Sequence, residues 1–360
     1  IAKLNTDTTT NRKFHLINRD TNEQYVVLID NGALKAYDLA GNAKTVVTPD
    51  GTSYLNSTNP QADFQLITVA DFTFIINKQK VVAKSGSTAT SRPDEAIYYV
   101  KNGQYKTTYK INIDGSEVAN YETLDNSNSS NASSITTDNI ATELYNDLNS
   151  NLSGYTIVRD GSIIYVSKNS GTFTSSVSDG LGGDGLIQLK DKTGSFSDLP
   201  YKGYLNFEIE VTGDKGTEYD NYFVKWDGNA WVETVKDGLD NSFDTSTMPH
   251  LLIRTADGNF RFCKADGSSY TIGSTSYDEP SWKSRTCGDT ITNPDPSFVG
   301  TKINDIFFYR NRLGICADEN VIFSKAGEFF NYYYSFFLCL CLIALIWKSS
   351  LSSEVVSSTC

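Results

Sequence analysis

The sequence predicts a mainly β, multi-domain chain with one small α/β insertion. Three observations carry that prediction. Short alternating runs rich in aromatic and β-branched residues, bounded by Asn-Gly and Asp-Gly turns, fill residues 14–84 and return beyond residue 205. A single stretch, 140–152, shows a helical apolar stripe instead. The aromatic content, 21 Tyr and 19 Phe against one Met, suits pleated half-buried surfaces. At 360 residues the chain is long enough for two or three domains with substantial cores.

Taken in order, residues 1–97 read as an N-terminal β region, a meander or sandwich-like platform. Tyr25–Ile29 and Leu34–Tyr37 flank Asp30-Asn31-Gly32, a hairpin signal because Asn-Gly tolerates positive φ. Asp38–Asn42 and Pro49-Asp50-Gly51 are further turns, and Val69–Asn77 is one strand carrying Phe72 and Phe74. Residues 98–211 form a separate module. Tyr105, Tyr109, Ile111 and Ile113 settle into alternation and end at Asp114-Gly115. DNSNSSNASS, 125–134, has the composition of a flexible loop. Ile140, Leu144, Tyr145, Leu148 and Leu152 then make one apolar stripe, with Asp138 or Thr137 supplying the N-cap oxygen. Thr156–Arg159 and Ile163–Ser167, joined at Asp160-Gly161, complete a β-β-α-β-β unit with its helix on one face of a sheet.

Residues 212–334 form a second β region, entered through the strand Leu205, Phe207, Ile209, Val211. Tyr222–Trp226 and Trp231–Val235 form a hairpin across Asp227-Gly228-Asn229, which brings Trp226 and Trp231 together as core residues. Tyr277–Asp289 is loop-like. Residues 335–360 are an aberrant apolar tail: the run 336–347 would span roughly 18 Å as a helix, short of the about 30 Å a bilayer needs. A reading-frame change or a mis-joined end accounts for it better than a membrane span. The polar start and the missing initiator Met suggest a chain that begins inside its gene.

Composition restricts the function classes. A formal net charge of −12, with no basic run, argues against a sequence-specific DNA binder. Cys263, Cys287 and Cys316 are widely spaced without a C-x-x-C, so they read as free thiols rather than zinc ligands; Cys339, Cys341 and Cys360 lie in the tail. A Ser-His-Asp or Cys-His site would need His15 or His250, and both sit in or beside strands, as structural histidines do. GLGGDG at 180–185 matches G-x-G-x-x-G in letters only. A strand-like Leu186–Leu189 follows it where a dinucleotide site requires a helix, so it reads as a flexible loop. The sequence singles out no catalytic, cofactor or metal residue.

The most distinctive stretch is Asn293–Asn331, NPDPSFVGTKINDIFFYRNRLGICADENVIFSKAGEFFN. It reads as a strand, Ile306–Tyr309, a turn at Arg310–Gly314, a second strand, Val321–Ser324, and an aromatic cluster of Phe329, Phe330 and Tyr332. Arg310 and Arg312 on the turn, with Lys325 beyond it, are the positively charged exception in an acidic chain. They could face phosphate, a carboxylate of a neighbouring subunit, or nothing. This stretch resembles the central signature of the tail tubular protein B family, the nozzle proteins of short-tailed bacteriophages. FHLINRDTNEQY at Phe14–Tyr25, YDLAGN at Tyr37–Asn42, LITVADFTFIIN at Leu66–Asn77, NGQY at Asn102–Tyr105 and MPHLLIR at Met248–Arg254 resemble their family counterparts in the same order.

The resemblance implies the N-terminal portion of a virion tail protein, structural and not enzymatic. It implies a homohexameric ring around a channel for DNA ejection, docked on the tail adaptor (tail tubular protein A), with tail fibres as further neighbours. The family's β-propeller would begin at most with Ile306–Tyr309 and Val321–Ser324. In a ring, Arg310, Arg312 and Lys325 become interface or lumen residues, favoured as structural salt bridges because arginine forms bidentate pairs. The alternatives are a β-rich carbohydrate- or receptor-binding tail protein, with Trp226 and Trp231 as sugar platforms, and, more remotely, a tail-associated glycan hydrolase.

Overall fold

A computed structural model describes residues 11–89, 91–212 and 221–334. The start of the chain and the apolar tail, with Cys339, Cys341 and Cys360, lie outside the described residues. The described chain divides into two compact units. The first holds the segment up to Ser87, Asp240–Arg285 and Pro294–Tyr334; the second holds Thr88–Leu239 and Thr286–Asn293.

In the first unit, Lys13–Asn18, Gln24–Asp30, Ala33–Asp38 and Ala43–Lys44 form an antiparallel meander. Asp30 faces Ala33 across Asn31-Gly32, and Gly32 takes the positive φ (70°) the tight turn requires. The meander ends at Ala43–Lys44. Val46–Val47, Phe260–Cys263, His250–Arg254, Phe72–Asn77 and Phe64–Val69 make a second sheet, in that spatial order. The single strand expected over Val69–Asn77 is therefore half of a hairpin that turns at Ala70-Asp71. Ala70 sits at φ 54°, a conformation its side chain does not advertise in sequence.

Both faces of this second sheet are buried. Ile75, Leu252, Phe260 and Phe262 join Val27 and Ile29 of the meander in one core. Phe74, Ile76, Leu251 and Ile253 join Ile306, Leu313, Ile315, Trp282 and Phe298 in another. Each such side chain contributes about 1.5–3 kcal/mol by leaving water. The outer layer over the second core is a three-stranded sheet, Ile303–Tyr309, Arg312–Ala317 and Asn320–Phe323, to which Phe329, Phe330 and Tyr332 add their rings. The five-residue turn expected at Arg310–Gly314 contracts to two residues, because Arg312–Gly314 already belong to the middle strand. A further hairpin, Ser269–Ile272 with Thr275–Asp278, reaches into the stretch expected to be loop.

The second unit repeats the layered plan. Its middle sheet runs Tyr155–Asp160, Ile163–Lys168, Glu95–Val100, Leu186–Leu189. Ala96, Tyr98, Val100, Ile164 and Val166 face one core, while Ile97, Ile163 and Tyr165 face the other. That explains why EAIYYV and IIYVSK are continuous apolar runs rather than alternating ones. One side is covered by the sheet Ser116–Glu122, Thr108–Ile113, Ser175–Ser178 together with the helix Thr137–Asn151. The other is covered by Lys192–Thr193, Glu208–Val211, Tyr222–Trp226 and Trp231–Thr234.

Local chemistry departs from the sequence reading in three places. The N-cap is Thr136, whose hydroxyl accepts the Asn139 N–H at 3.3 Å, and not Asp138 or Thr137. Thr136 is the last extended residue, and Asp138 pairs instead with Arg159 at 2.7 Å. The polar stretch 125–134 is not a bare loop: Asn128 caps a 3₁₀ turn over Ser129–Ile135 by accepting from Ser130 N–H. Ser, Asn and Asp satisfy nearby backbone this way, and composition does not separate such a turn from a solvated loop. The strand expected from Leu205 begins only at Glu208, since Asn206 turns left-handed (φ 64°) and leaves Leu205 exposed.

Candidate assembly surface

Ile306, Leu313, Ile315 and Ala317 point the three-stranded sheet's inner face into the first unit's core. Phe307, Gly314 and Phe323 are register partners across its other face, where the Phe307 and Phe323 rings meet edge to face at 5.5 Å. A Cβ on Gly314 would come within 2.4 Å of the Phe307 ring, so only glycine admits that ring. Tyr309, Val321 and Phe323 stay exposed, which leaves an outward surface unusually apolar for a sheet.

The arginine turn closes one end of this sheet. Arg310 and Asn311 both adopt positive φ (46° and 59°), the geometry of a two-residue hairpin whose twist matches its strands. Asn311 tolerates that conformation well; Arg310 does so less readily. The Asn311 carbonyl accepts the Gly327 N–H at 2.8 Å, and Arg312 Nη1 donates to the Ser324 carbonyl at 3.2 Å. The turn is thus tied to the loop bearing Lys325. Lys325 pairs with Glu328 at 2.6 Å. Arg310 lies over its neighbour Tyr309, 5.3 Å from the ring centroid. Among the described residues neither Arg310 nor Arg312 forms an ion pair, while Lys325 is paired with Glu328, and all three cations are exposed.

The other residues singled out in sequence have structural posts. Trp226 and Trp231 are register partners with rings 5.6 Å apart. Trp226 is buried, and Trp231 donates its indole N–H to the Pro200 carbonyl at 2.8 Å. His250 is stacked between Tyr54 (3.8 Å) and Phe262 (5.5 Å), and burial lowers its pKa to about 4. His15 Nε2 shares a 2.7 Å hydrogen bond with the Thr68 hydroxyl; burial, then the Lys13 charge, lowers its pKa. Cys263 and Cys287 are buried thiols and Cys316 is half-buried. Among the described residues no group of three His, Cys, Asp or Glu side chains is placed to hold a metal ion, and no helix is long and apolar enough to cross a membrane.

Sequence reasoning missed three groups. GLGGDG is not a flexible loop but is organised by Asp179, whose carboxylate accepts four backbone N–H groups: Leu181 (2.8 Å), Gly183 (3.0 Å), Gly185 (2.5 Å) and Leu186 (2.9 Å). Burial opposes ionisation of Asp179, but those four bonds hold its pKa below the usual value. An Asp directly before a glycine run was the available signal. In the first unit, Asp295 Oδ1 accepts from Lys84 (2.7 Å), Arg285 (2.8 Å) and the Tyr333 hydroxyl (2.7 Å). No local pattern announces a tie among positions so far apart.

The third group is Glu208, which lines a cavity of about 660 Å³ in the second unit with Arg92, Glu95, Lys168, Lys236 and Asp237. Burial, aided by the Asp237 charge, pushes Glu208 up to about 7. Its Oε1 already accepts the Asp237 N–H at 2.9 Å, while Arg92 grips Glu95 through two hydrogen bonds of 3.0 and 2.8 Å. This arrangement holds a proton near neutrality within a network of committed partners.

Residues 1–338 match the family described as bacteriophage nozzle protein. The chain is 34% identical over 330 residues to the tail tubular protein gp12 of Escherichia phage T7, an alignment covering 89% of this chain and 39% of that relative. The chain thus spans well under half the length of the curated relative it matches. With nearly its whole sequence inside the family match, this chain belongs to the bacteriophage nozzle protein family.

Proposed function

We propose that this chain is a wall segment of a short phage tail, built to form ring contacts around a channel through which genomic DNA leaves the virion, and that it performs no bond chemistry. The carrying observation is the family match over residues 1–338. Family membership makes it a structural component of the bacteriophage tail, located in the virion. A layered β scaffold with rigid, doubly covered middle sheets fits that mechanical role. The histidines fit it too, since stacking and hydrogen bonding already occupy their rings.

The finer reading concerns partners. A cyclic ring joins two different patches per subunit. In this reading six copies close the ring, the tail adaptor docks on it, and tail fibres attach nearby. Arg310, Arg312 and Lys325 supply the cationic half of a contact, pairing with carboxylates of a neighbouring copy in preference to passing DNA. The exposure of Arg310 and Arg312 without an ion pair in the described chain supports this. The sheet containing Ile303–Tyr309 would begin a propeller completed by further chain, and residues 98–211 would act as a module inserted into the platform.

Electron microscopy of the full-length product tests the assembly: six-fold rings are expected, and monodisperse monomers would sink it. Arg310→Glu with Arg312→Glu should abolish rings while lowering the melting temperature only slightly, through loss of the Arg312–Ser324 bond. Intact rings that still eject DNA normally would remove these residues from both interface and lumen.

A further inference from the structure

In the first unit, a cleft of about 400 Å³ opens beside the hairpin Ser269–Ile272/Thr275–Asp278, in the size range of small-ligand sites. Arg19, Asp71, Arg254, Tyr270, Tyr277 and Asp278 line it. Tyr270 and Tyr277 are register partners whose rings stack with centroids 5.6 Å apart and planes 21° from parallel. The Arg261 guanidinium lies 4.6 Å from the Tyr270 centroid and is itself pinned at 2.5 Å by the buried Glu279. The aromatic pair is therefore fixed before any ligand arrives, which is what a binding platform needs.

The polar lining is equally preset. Glu23 gives one carboxylate oxygen to Arg19 and the other to Arg254, and Arg19 also pairs with Asp71. Arg254 spends its remaining nitrogens on the Tyr25 hydroxyl (3.4 Å) and the Thr255 carbonyl (3.0 Å). Ser269 occupies Asp278 Oδ1 at 2.7 Å. Among the described residues this leaves Asp71 Oδ2, Asp278 Oδ2 and the hydroxyls of Tyr270 and Tyr277 without partners, in a cleft whose two arginines are already neutralised by carboxylates.

We propose that this cleft binds a neutral saccharide. A sugar ring offers a C–H face to stack on Tyr277, whose other face is backed by Tyr270, and vicinal hydroxyls to donate to the open carboxylate oxygens of Asp71 and Asp278. Charge-assisted hydrogen bonds of that kind are the stronger ones. Phosphate and acidic sugars are disfavoured, because the open oxygens are anionic and the guanidiniums are committed. The inference is independent of ring assembly. A saccharide site on a tail component would give the virion a contact with a glycan-coated surface, without turnover.

The test is isothermal titration of the full chain with neutral gluco- and galacto-oligosaccharides, with a sialylated oligosaccharide, inorganic phosphate and an arginine-containing peptide as controls. Binding of a neutral saccharide is expected, weakened about tenfold or more by Asp278→Asn and by Tyr277→Ala. Tyr277→Phe should retain most of the affinity, and Trp231→Ala all of it. Thermal melting of each variant separates lost binding from lost folding; Asp278→Asn, nearly isosteric, carries the test if Tyr277→Ala unfolds. No saccharide binding at millimolar concentration, equal binding by the variants, or preference for phosphate or the peptide would overturn the proposal.

Discussion

In the first unit the middle sheet pairs Phe72–Asn77 with His250–Arg254, strands separated in sequence by the Thr88–Leu239 segment of the second unit. In the second, Glu95–Val100 pairs with Ile163–Lys168 and Leu186–Leu189, all within one continuous segment. Both sheets are covered on both faces, yet polar groups secure them differently. Asp179 in the second unit serves only amides of its own loop. Asp295 in the first joins Lys84, Arg285 and Tyr333, three separate stretches of chain. The two carboxylates thus differ in reach, and each unit holds further long-range ties, Asp94 to Lys190 in the second and Glu23 to Arg254 in the first.

The largest expected effect breaks the second unit alone. Leu144 is fully buried on the Thr137–Asn151 helix, packed with Ile140, Leu148, Tyr98 and Ile164. Leu144→Asp places a charge there without a partner and should cost about 3–5 kcal/mol. Hydrogen exchange should show the second unit opening while the Phe72–Asn77/His250–Arg254 pair stays protected. Equal loss of protection in both would mean that the units are not separate cooperative bodies.

Asp295→Asn should be next, at about 2–3 kcal/mol, because it leaves Lys84 and the buried Arg285 facing each other without a counter-charge. Protection should fall around Lys84, Arg285 and Tyr333 together. Loss confined to residues near 295 would show that the tie is decorative. Asp179→Ala should cost slightly less, about 2 kcal/mol, since only two of the four freed amides, those of Gly185 and Leu186, are buried. Exchange should accelerate at Leu181, Gly183, Gly185 and Leu186 and nowhere in the first unit.

The same contrast explains what was legible in the sequence. Local features read correctly: the Asn31-Gly32 turn, the helix stripe with Ile140, Leu144 and Leu148, and the Trp226/Trp231 hairpin. Family motifs carried the function, because six ordered stretches identify a lineage that no chemical group in the chain announces. What failed to read depends on partners remote in sequence or on backbone that side chains do not betray. Nothing in Val69–Asn77 shows that Ala70 turns left-handed, and nothing near Arg285 names Asp295 as its partner together with Lys84 and Tyr333. At the arginine turn the residues were visible but their company was not. Only the structure shows Arg312 spent on the Ser324 carbonyl and Arg310 lying over Tyr309.

The smallest effect is the sharpest test of the comparison, because it gives the two units opposite responses to acid. His250, in the first unit, is held neutral by burial, its pKa lowered from 6.5 to about 4. An unfolded chain binds that proton first, so the stability it protects is complete above pH 6.5 and is lost as pH falls towards 4. Glu208, in the second unit, is held protonated by burial, its pKa raised from 4.5 to about 7. Here the folded state binds the proton first, so the stability is complete below pH 4.5 and is lost as pH rises through 7. Between these limits acidification should remove the His250 contribution from the first unit and restore the Glu208 contribution to the second, each about 1 kcal/mol once solvent screening is allowed for. His250→Phe, which keeps a ring between Tyr54 and Phe262, should flatten the acid response of the first unit alone. Glu208→Gln should flatten that of the second alone. Exchange measured at several pH values on both variants would expose any shared response, and a common slope in the two units would show that their electrostatics are coupled after all.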